Sequence, residues 1–307
     1  SQPPSGGNWK RRMCHCAGLM AIGQVKKMDR QTQAQLAKLA PIFDALGEMA
    51  VDLTVLGSGA QASVWRIRTD RADYALRVLK PGAPGLNPAV DARLRNALLE
   101  RGAAVVRPVL TSDDVATPEV AAQWVLDDFV AGRPLSGPLT MQQADDLGRS
   151  LWVLHSFDHD RWADIPASLP VPLSVFGDGN GGLRLGGDMN QYQGLLRRTL
   201  TEEKAGLAVC HGDLHADQVL RKRDGGIAIL DFGLARRCDY RWDLAAIFLA
   251  YGRDSFDGIL AGYQGKTDVD DVLPFAQALA IAALMRGRAK AAAAQVFLNQ
   301  YPVQLDT

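Results

Sequence analysis

The sequence has few residues of the kinds that mark secreted, membrane or nucleic-acid-binding proteins. Only four cysteines occur among 307 residues, too few for a disulfide framework and suited to a reducing cytoplasm. No apolar run is long enough to span a bilayer. The 34 basic and 34 acidic residues cancel, so no charge excess indicates a nucleic acid or an anionic membrane as partner. The remaining composition is that of an ordinary globular protein, long enough for two lobes.

The most informative stretch is H-G-D-L-H-A-D-Q at residues 211–218, followed by D-F-G at residues 231–233. Apolar residues flank the first stretch and precede the second, which predicts a strand, a polar loop, a strand and a turn. Asp213 and Asp231 are then expected at the ends of neighbouring strands, facing one cleft. Phosphoryl transfer needs such a pair, one for the acceptor hydroxyl proton and one for magnesium. For the first stretch alone, a His/Asp-rich metal or surface loop is the alternative.

A glycine-containing loop lies earlier in the chain, where residues 57–64 read G-S-G-A-Q-A-S-V. This is a near match to the phosphate-binding pattern G-x-G-x-x-G-x-V, with alanine in place of the third glycine. Glycines let backbone N–H groups approach phosphates closely. A plain hairpin turn is the alternative, but the position between two predicted strands favours nucleotide binding. The candidate cofactor-binding residues of this loop are Gly57, Ser58, Gly59, Ala60 and Val64.

The third predicted strand covers residues 73–80 and reads D-Y-A-L-R-V-L-K. Strand alternation places Ala75 and Arg77 on one face and Lys80 on the other. We therefore expect Arg77, rather than Lys80, to point at the phosphates, and arginine suits bidentate phosphate contact. A helix over residues 91–101 follows and supplies two candidate ion-pair partners for Arg77, namely Asp91 and Glu100.

These motifs, in this order, resemble the aminoglycoside-phosphotransferase and choline-kinase-like superfamily over about residues 50–250. The resemblance implies a two-lobed α+β fold like that of protein kinases, with ATP and Mg²⁺ between the lobes and a small-molecule hydroxyl as acceptor. It implies a catalytic base at Asp213, metal ligands at Asp231 and Gln218, and a loop-bracing Asp243 within W-D-L-A. Gln218 departs from the usual asparagine, although some relatives carry glutamine. The resemblance also assigns His211 and His215 to the catalytic set, and Ala75 and the backbone of Asp128 and Val130 to the adenine site.

The chain divides into three parts by composition. We predict a tail over residues 1–27, a nucleotide-binding lobe over 28–130 and a helical catalytic lobe over 131–307. The tail carries a C-H-C triplet and faintly mimics a signal peptide, but a disordered extension or a translation start upstream of Met28 fits it better. In the third part, acidic residues could hold a cationic acceptor, and a basic patch could hold an anionic one. The acids are Asp254, Asp257, Asp268, Asp270 and Asp271, and the basic residues are Arg286, Arg288 and Lys290.

Two other functions are compatible with parts of this pattern. The substitutions at Ala62, Arg77 and Gln218 are compatible with a nucleotide-binding pseudokinase that regulates a partner without turnover. The other possibility is a protein kinase. It is weakened because no A-P-E motif follows D-F-G and because histidine replaces lysine two residues after Asp213.

Overall fold

The computed structural model describes residues 30–303, apart from 60, 116, 118–121, 286–290 and most of 169–205. The sequence also predicts a helix over residues 188–204. This prediction and those for the tail, for Ala60 and for the basic patch lie wholly or mainly outside the described residues. No helix in the part that is described is long and apolar enough to cross a membrane.

The N-terminal part is a five-stranded antiparallel sheet with the strand order β1-β2-β3-β5-β4. Its elements are α1 (Arg30–Lys38), α2 (Ala40–Leu46), β1 (Ala50–Ser58), β2 (Ala62–Thr69), β3 (Asp73–Leu79), α3 (Pro88–Glu100), β4 (Pro108–Thr111) and β5 (Trp124–Asp128). Leu76 and Leu126, paired across β3 and β5, join the buried cluster that includes α1 and α2. Arg77 therefore faces the opposite side of the sheet, where α3 packs. α1 ends at Lys38, and a new helix begins at Ala40 with Pro41 in its first turn, a position where proline is tolerated.

The C-terminal part is mainly helical and includes two small sheets. Its elements are β6 (Gly132–Pro134), α4 (Met141–His155), β7 (Leu207–Cys210), β8 (Val219–Lys222), β9 (Ile227–Ile229), β10 (Arg236–Asp239), α5 (Arg241–Gly262), α6 (Val269–Met285) and α7 (Ala291–Gln300). Thr140 and Gln143 form a capping box at the start of α4. The chain passes from the large sheet to this part between Asp128 and Gly132, where we propose that the two lobes divide.

The strands that carry the two acidic motifs are not neighbours, contrary to our expectation. β8 and β9 pair as a hairpin, and β8 also pairs with β6 to complete a three-stranded sheet. β10 pairs instead with β7 in a separate two-stranded sheet. Asp213 follows β7 and Asp231 follows β9, so their carboxylates come from two different sheets. Both nevertheless line the same cavity. The prediction of a shared cleft is confirmed, and the prediction of adjacent strands is wrong.

Helices α4 and α5 cross at very close range beneath the catalytic loop. A Cβ atom added at Gly148 of α4 would overlap the carbonyl oxygen of Ile259, and one added at Gly262 of α5 would overlap that of Asp145. Both obstacles are backbone atoms, which cannot rotate away. The two glycines therefore set the distance between the helices that support β7 and Asp243.

Gly148→Ala should destabilise the protein by roughly 1–3 kcal/mol, because overpacking at a backbone contact outweighs the helix propensity that alanine gains. Urea denaturation measures the free energy of unfolding. Gly258→Ala is the matched control at the same crossing, since its new methyl meets only the Ala144 methyl, at 3.1 Å, and should cost less. A Gly148→Ala variant as stable as the parent would contradict the close packing.

Candidate active site

One cavity of about 400 Å³ brings together seven of the fourteen described residues that were predicted for the active site. It lies between the glycine-containing loop, the start of α3 and the two acidic motifs. The predicted residues that line it are Gly59, Val64, Arg77, Asp213, His215, Gln218 and Asp231. The predicted residues that do not line it are Gly57, Ser58, Ala75, Asp128, Val130, His211 and Asp243. Asp91 lines the cavity as well, so the arrangement places a cationic group and three carboxylates around one space.

Arg77 joins the two parts of the molecule at this cavity. One guanidinium nitrogen contacts Asp91 on α3, and another contacts Asp231 of D-F-G. Burial alone lowers the pKa of Arg77, but Asp91, Asp231 and Asp127 outweigh that effect and hold the pKa above its ordinary value. Asp91 is therefore the ion-pair partner that the sequence left open. The register of β3 predicted by alternation is confirmed.

Asp91 also pairs with a second buried arginine, Arg95, which we did not predict from the sequence. Arg95 donates from Nε to Asp91 at 2.8 Å and from Nη1 to Asp127 of β5 at 2.6 Å. Burial by itself raises the pKa of Asp91, but Arg95 and Arg77 hold that pKa below its usual range. Burial raises the pKa of Asp127, a shift that Arg95 and Arg77 oppose. The i,i+4 spacing of Asp91 and Arg95 was the available signal in the sequence.

The glycine-containing loop forms the tip of the β1–β2 hairpin. The Gly59 N–H donates to the Ala62 carbonyl at 2.9 Å, and the hydroxyls of Ser58 and Ser63 lie 3.0 Å apart. The Lys80 ammonium donates to the Gly59 carbonyl, so Lys80 supports the loop from the outside rather than entering the cavity.

The segment predicted to contact adenine through its backbone, Asp128 to Val130, follows β5 but does not line the described cavity. We call this segment the hinge. The Asp128 N–H donates to the Arg107 carbonyl at 3.0 Å, and its carboxylate pairs with the Arg107 guanidinium. Asp128 and Val130 line a separate groove, together with residues of the β8–β9 turn. Any contact of this segment with a base must therefore use backbone groups other than the Asp128 N–H.

Asp243 braces the catalytic loop by direct contact. Its carboxylate accepts the N–H of His211 at 2.6 Å and the N–H of Gly212 at 3.1 Å, and it lies 3.2 Å from His155 Nε2. Burial raises the pKa of Asp243, but His155 and His211 outweigh burial and hold the pKa below its ordinary value. Gly212 has a φ of +79°, and a side chain there would collide with Arg236. Only glycine therefore fits at position 212, and Asp243 holds the backbone that leads into Asp213.

His211 is fully buried and connects the two acidic motifs. Its Nε2 lies 2.7 Å from the Leu230 carbonyl, and its ring packs against Phe232 at a centroid distance of 4.7 Å. The residue was predicted to belong to the catalytic set, yet its ring does not reach the cavity. Its position instead fixes residues 230–232 against the catalytic loop.

The D-F-G turn is held by the loop that precedes α3. The Leu86 N–H donates to the Gly233 carbonyl at 2.7 Å. Asp231 has a φ of +53°, and a side chain at Gly233 would come within 2.6 Å of the Arg77 guanidinium. Glycine is required here because Arg77 occupies the space beside the turn.

Gln218 and Asp231 provide the oxygen atoms that fit a hard divalent cation. The Leu230 N–H donates to the Gln218 backbone carbonyl at 2.8 Å, so the two residues are held on adjoining segments. Both side chains line the cavity with Asp213. Amide and carboxylate oxygens are the ligands that Mg²⁺ accepts.

A second group of potential ligands fits a metal less well. His155, Cys210 and Asp243 are buried with ligand atoms within 4.8 Å of one another. The Asp243 oxygens already accept backbone N–H groups, and burial raises the pKa of the Cys210 thiol well above its ordinary value. The group therefore serves as a hydrogen-bonded support for the loop.

Comparison with known proteins identifies the fold and the family. The chain is similar to spectinomycin phosphotransferase APH(9)-Ia, solved with ADP and spectinomycin, at a TM-score of 0.58 and 13% identity over 91% of this chain and 96% of that one. It is similar to choline kinase LicA from Streptococcus pneumoniae, at 0.57 and 13% over 90% and 94%. It is also similar to a mutant aminoglycoside 2'-phosphotransferase-IIIa solved with GDP, at 0.58 and 16% over 87% and 97%. No curated protein sequence matches the chain.

The predicted two-lobed, protein-kinase-like fold is confirmed by these neighbours. The sequence model of the phosphotransferase enzyme family (APH) matches residues 52–279, which is well over half of the chain and includes each of the motifs described above. This protein therefore belongs to the phosphotransferase enzyme family.

Proposed function

We propose that the protein transfers the γ-phosphoryl group of ATP, with Mg²⁺, to a hydroxyl group of a small molecule. The observation that carries this proposal is the convergence of Arg77, Asp213, Gln218 and Asp231 on one cavity. Phosphoryl transfer requires mainly positioning and charge neutralisation, and these four side chains are of the types that supply both.

Each side chain has a distinct task in this proposal. Asp213 accepts or orients the proton of the acceptor hydroxyl, and Arg77 contacts the phosphates. Asp231 and Gln218 would hold Mg²⁺, which neutralises charge on the phosphate oxygens when it is bound. Arg77 also contacts Asp231, so Arg77 and Mg²⁺ would share this carboxylate.

The buried residues around the catalytic loop act as positioning groups. Asp243 holds the backbone before Asp213, and His211 fixes that loop to the strand leading into D-F-G. His215 lines the cavity two residues after Asp213, on the side where we expect the acceptor to approach. A histidine there, where protein kinases carry lysine, supports a small acceptor rather than a protein.

We propose that the base lies near Ala75 and contacts the backbone of Asp128 and Val130, while residues 57–64 cover the phosphates. Solved neighbours hold ADP in one case and GDP in another, so the shared fold does not decide which purine binds. We favour ATP, and we place the acceptor among the amino alcohols, sugars and aminoglycosides. None of the acidic residues proposed for a cationic acceptor lines the described cavity.

A nucleotide-binding pseudokinase is the second candidate, and one observation favours it. Arg77 already pairs with Asp231, the principal metal ligand in our proposal. An ADP-release screen across sugars, amino alcohols, aminoglycosides and nucleosides, with Mg²⁺ and ATP, separates the two functions. Turnover with one class of acceptor supports our proposal, whereas nucleotide binding without turnover on any class supports the pseudokinase.

Asp213→Asn should reduce turnover on the acceptor found in the screen by roughly 10²–10⁴-fold, the usual contribution of a positioned general base. ATP binding should change little, because Asp213 acts on the acceptor. ADP release and calorimetric titration measure the two quantities. Asp224→Asn, in the exposed β8–β9 turn, is the control and should keep full turnover. Near-normal turnover of Asp213→Asn would reject the assignment.

Gln218→Ala should raise the Mg²⁺ concentration for half-maximal turnover about tenfold, equivalent to roughly 1.4 kcal/mol for one lost oxygen ligand. The effect should be smaller with Mn²⁺, which tolerates imperfect geometry better. Gln218→Asn is the matched variant and should restore Mg²⁺ dependence, because it keeps the amide oxygen. An unchanged metal dependence in Gln218→Ala would show that Gln218 is not a ligand.

A further inference from the structure

Asp127 lies on the face of the large sheet that lines the cleft. In the antiparallel pairing of β3 with β5, Ala75 is opposite Asp127 and Arg77 is opposite Val125. Residues that are directly opposite share a face, so all four side chains project from the same side. Val125 and Arg77 line the cavity, and Asp127 lies two residues closer to the hinge. Asp127 is not among the residues that line the described cavity, but its register on β5 puts it on the cleft face of the sheet, toward the end where we expect the base.

Arg95 fixes one oxygen of this carboxylate. Its Nη1 donates to Asp127 Oδ1 at 2.6 Å and to the Val106 carbonyl at 3.2 Å, while its Nε donates to Asp91. The Arg95 side chain is 1% exposed and that of Asp127 is 15% exposed. Among the described residues, no group donates a hydrogen bond to the second oxygen of Asp127. A carboxylate fixed by one oxygen, with the other free to accept a further hydrogen bond, is a preorganised acceptor at a buried site.

We propose that Asp127 selects the purine base of the bound nucleotide. Its second oxygen accepts a hydrogen bond from the 6-amino group of adenine and repels the 6-oxo group of guanine. Arg95 is a positioning residue, because it holds the first oxygen and so sets the direction of the second. The inference rests on the proposed function, since it requires a nucleotide between the lobes.

The chemistry of the 6-position allows two contacts at once. An amino group has two hydrogen atoms, so one can reach a backbone carbonyl of the hinge while the other reaches Asp127. An oxo group offers only lone pairs, which would meet a second acceptor. A 6-amino base gains a hydrogen bond to Asp127, whereas a 6-oxo base leaves the carboxylate oxygen unpaired. This difference corresponds to roughly 10- to 100-fold in affinity.

Asp127→Asn should invert this preference. Arg95 has only donors, so the amide oxygen stays on Arg95 and the amide NH₂ takes the place of the second carboxylate oxygen. That group donates to a 6-oxo group and no longer accepts from a 6-amino group. Calorimetric titration of the full chain with Mg²⁺ and either ATP or ITP, at pH 8 to favour ionised Asp127, measures the two affinities. ITP is used because it has the 6-oxo group and the N1–H of guanine but lacks the 2-amino group that GTP adds, and the change at N1 is the same for the parent and the variant.

The ratio of ATP affinity to ITP affinity should fall at least tenfold in Asp127→Asn. Arg95→Met should lower the same ratio while leaving the carboxylate in place, which a purely structural role would not predict. Asp146→Asn is the control, because Asp146 lies on α4, outside the large sheet, and pairs with Arg149. An unchanged ratio in Asp127→Asn would overturn the proposal, since a hinge carbonyl would then account for the base preference alone.

The wild-type protein provides an independent test that does not depend on a variant that folds. ATP should bind more tightly than purine riboside triphosphate, which lacks the 6-substituent, and that analogue more tightly than ITP. Equal binding of ATP and ITP would overturn the assignment of Asp127 and leave the proposed function intact. Failure of all three nucleotides to bind would refute the proposed function, and the base selection with it.

Discussion

The ion pair between Arg77 and its two carboxylate partners is the interaction on which the rest of the site depends. It ties β3 to helix α3 through Asp91 and to the D-F-G turn through Asp231. Arg77 and Asp91 are both buried, and removing one partner of such a pair typically costs about 3–5 kcal/mol, because the remaining charge is left uncompensated. The contact with Asp231, which is partly exposed, contributes less because solvent screens it. The sheet, the helix and the turn are therefore held in one arrangement, and the cavity between them already has its shape.

A separate set of contacts holds the catalytic loop. Asp243 accepts two backbone N–H groups just before Asp213, and His155 holds Asp243 in turn. His211 then connects this loop to the segment before Asp231. Asp213 and Asp231 thus follow strands of different sheets, but a short chain of buried hydrogen bonds connects the segments that carry them. Arg77 connects this group to the large sheet through its contact with Asp231.

The sequence predicted the parts of the site whose chemistry depends on short spacing. Strand alternation identified Arg77 over Lys80, and the motif spacing brought Asp213 and Asp231 to one cavity. It could not predict that β7 pairs with β10, because strand pairing depends on contacts between distant residues. The partnership of Arg95 with Asp127 crosses from a helix to a strand 32 residues away, and no local pattern encodes that contact. His211 was predicted to be catalytic, but its ring lies outside the cavity. A motif shows which residues are present but not which way a ring points.

A double-mutant cycle between Arg77 and Asp91, read out as affinity for Mg²⁺-ATP, tests the central claim most directly. If Asp91 acts by holding Arg77 on the phosphates, Asp91→Asn and Arg77→Met should each weaken binding. The double variant should then bind no more weakly than Arg77→Met alone, because the helix carboxylate has no cation left to position. Losses that add in the double variant would contradict the claim and show that Asp91 contributes to nucleotide binding independently of Arg77.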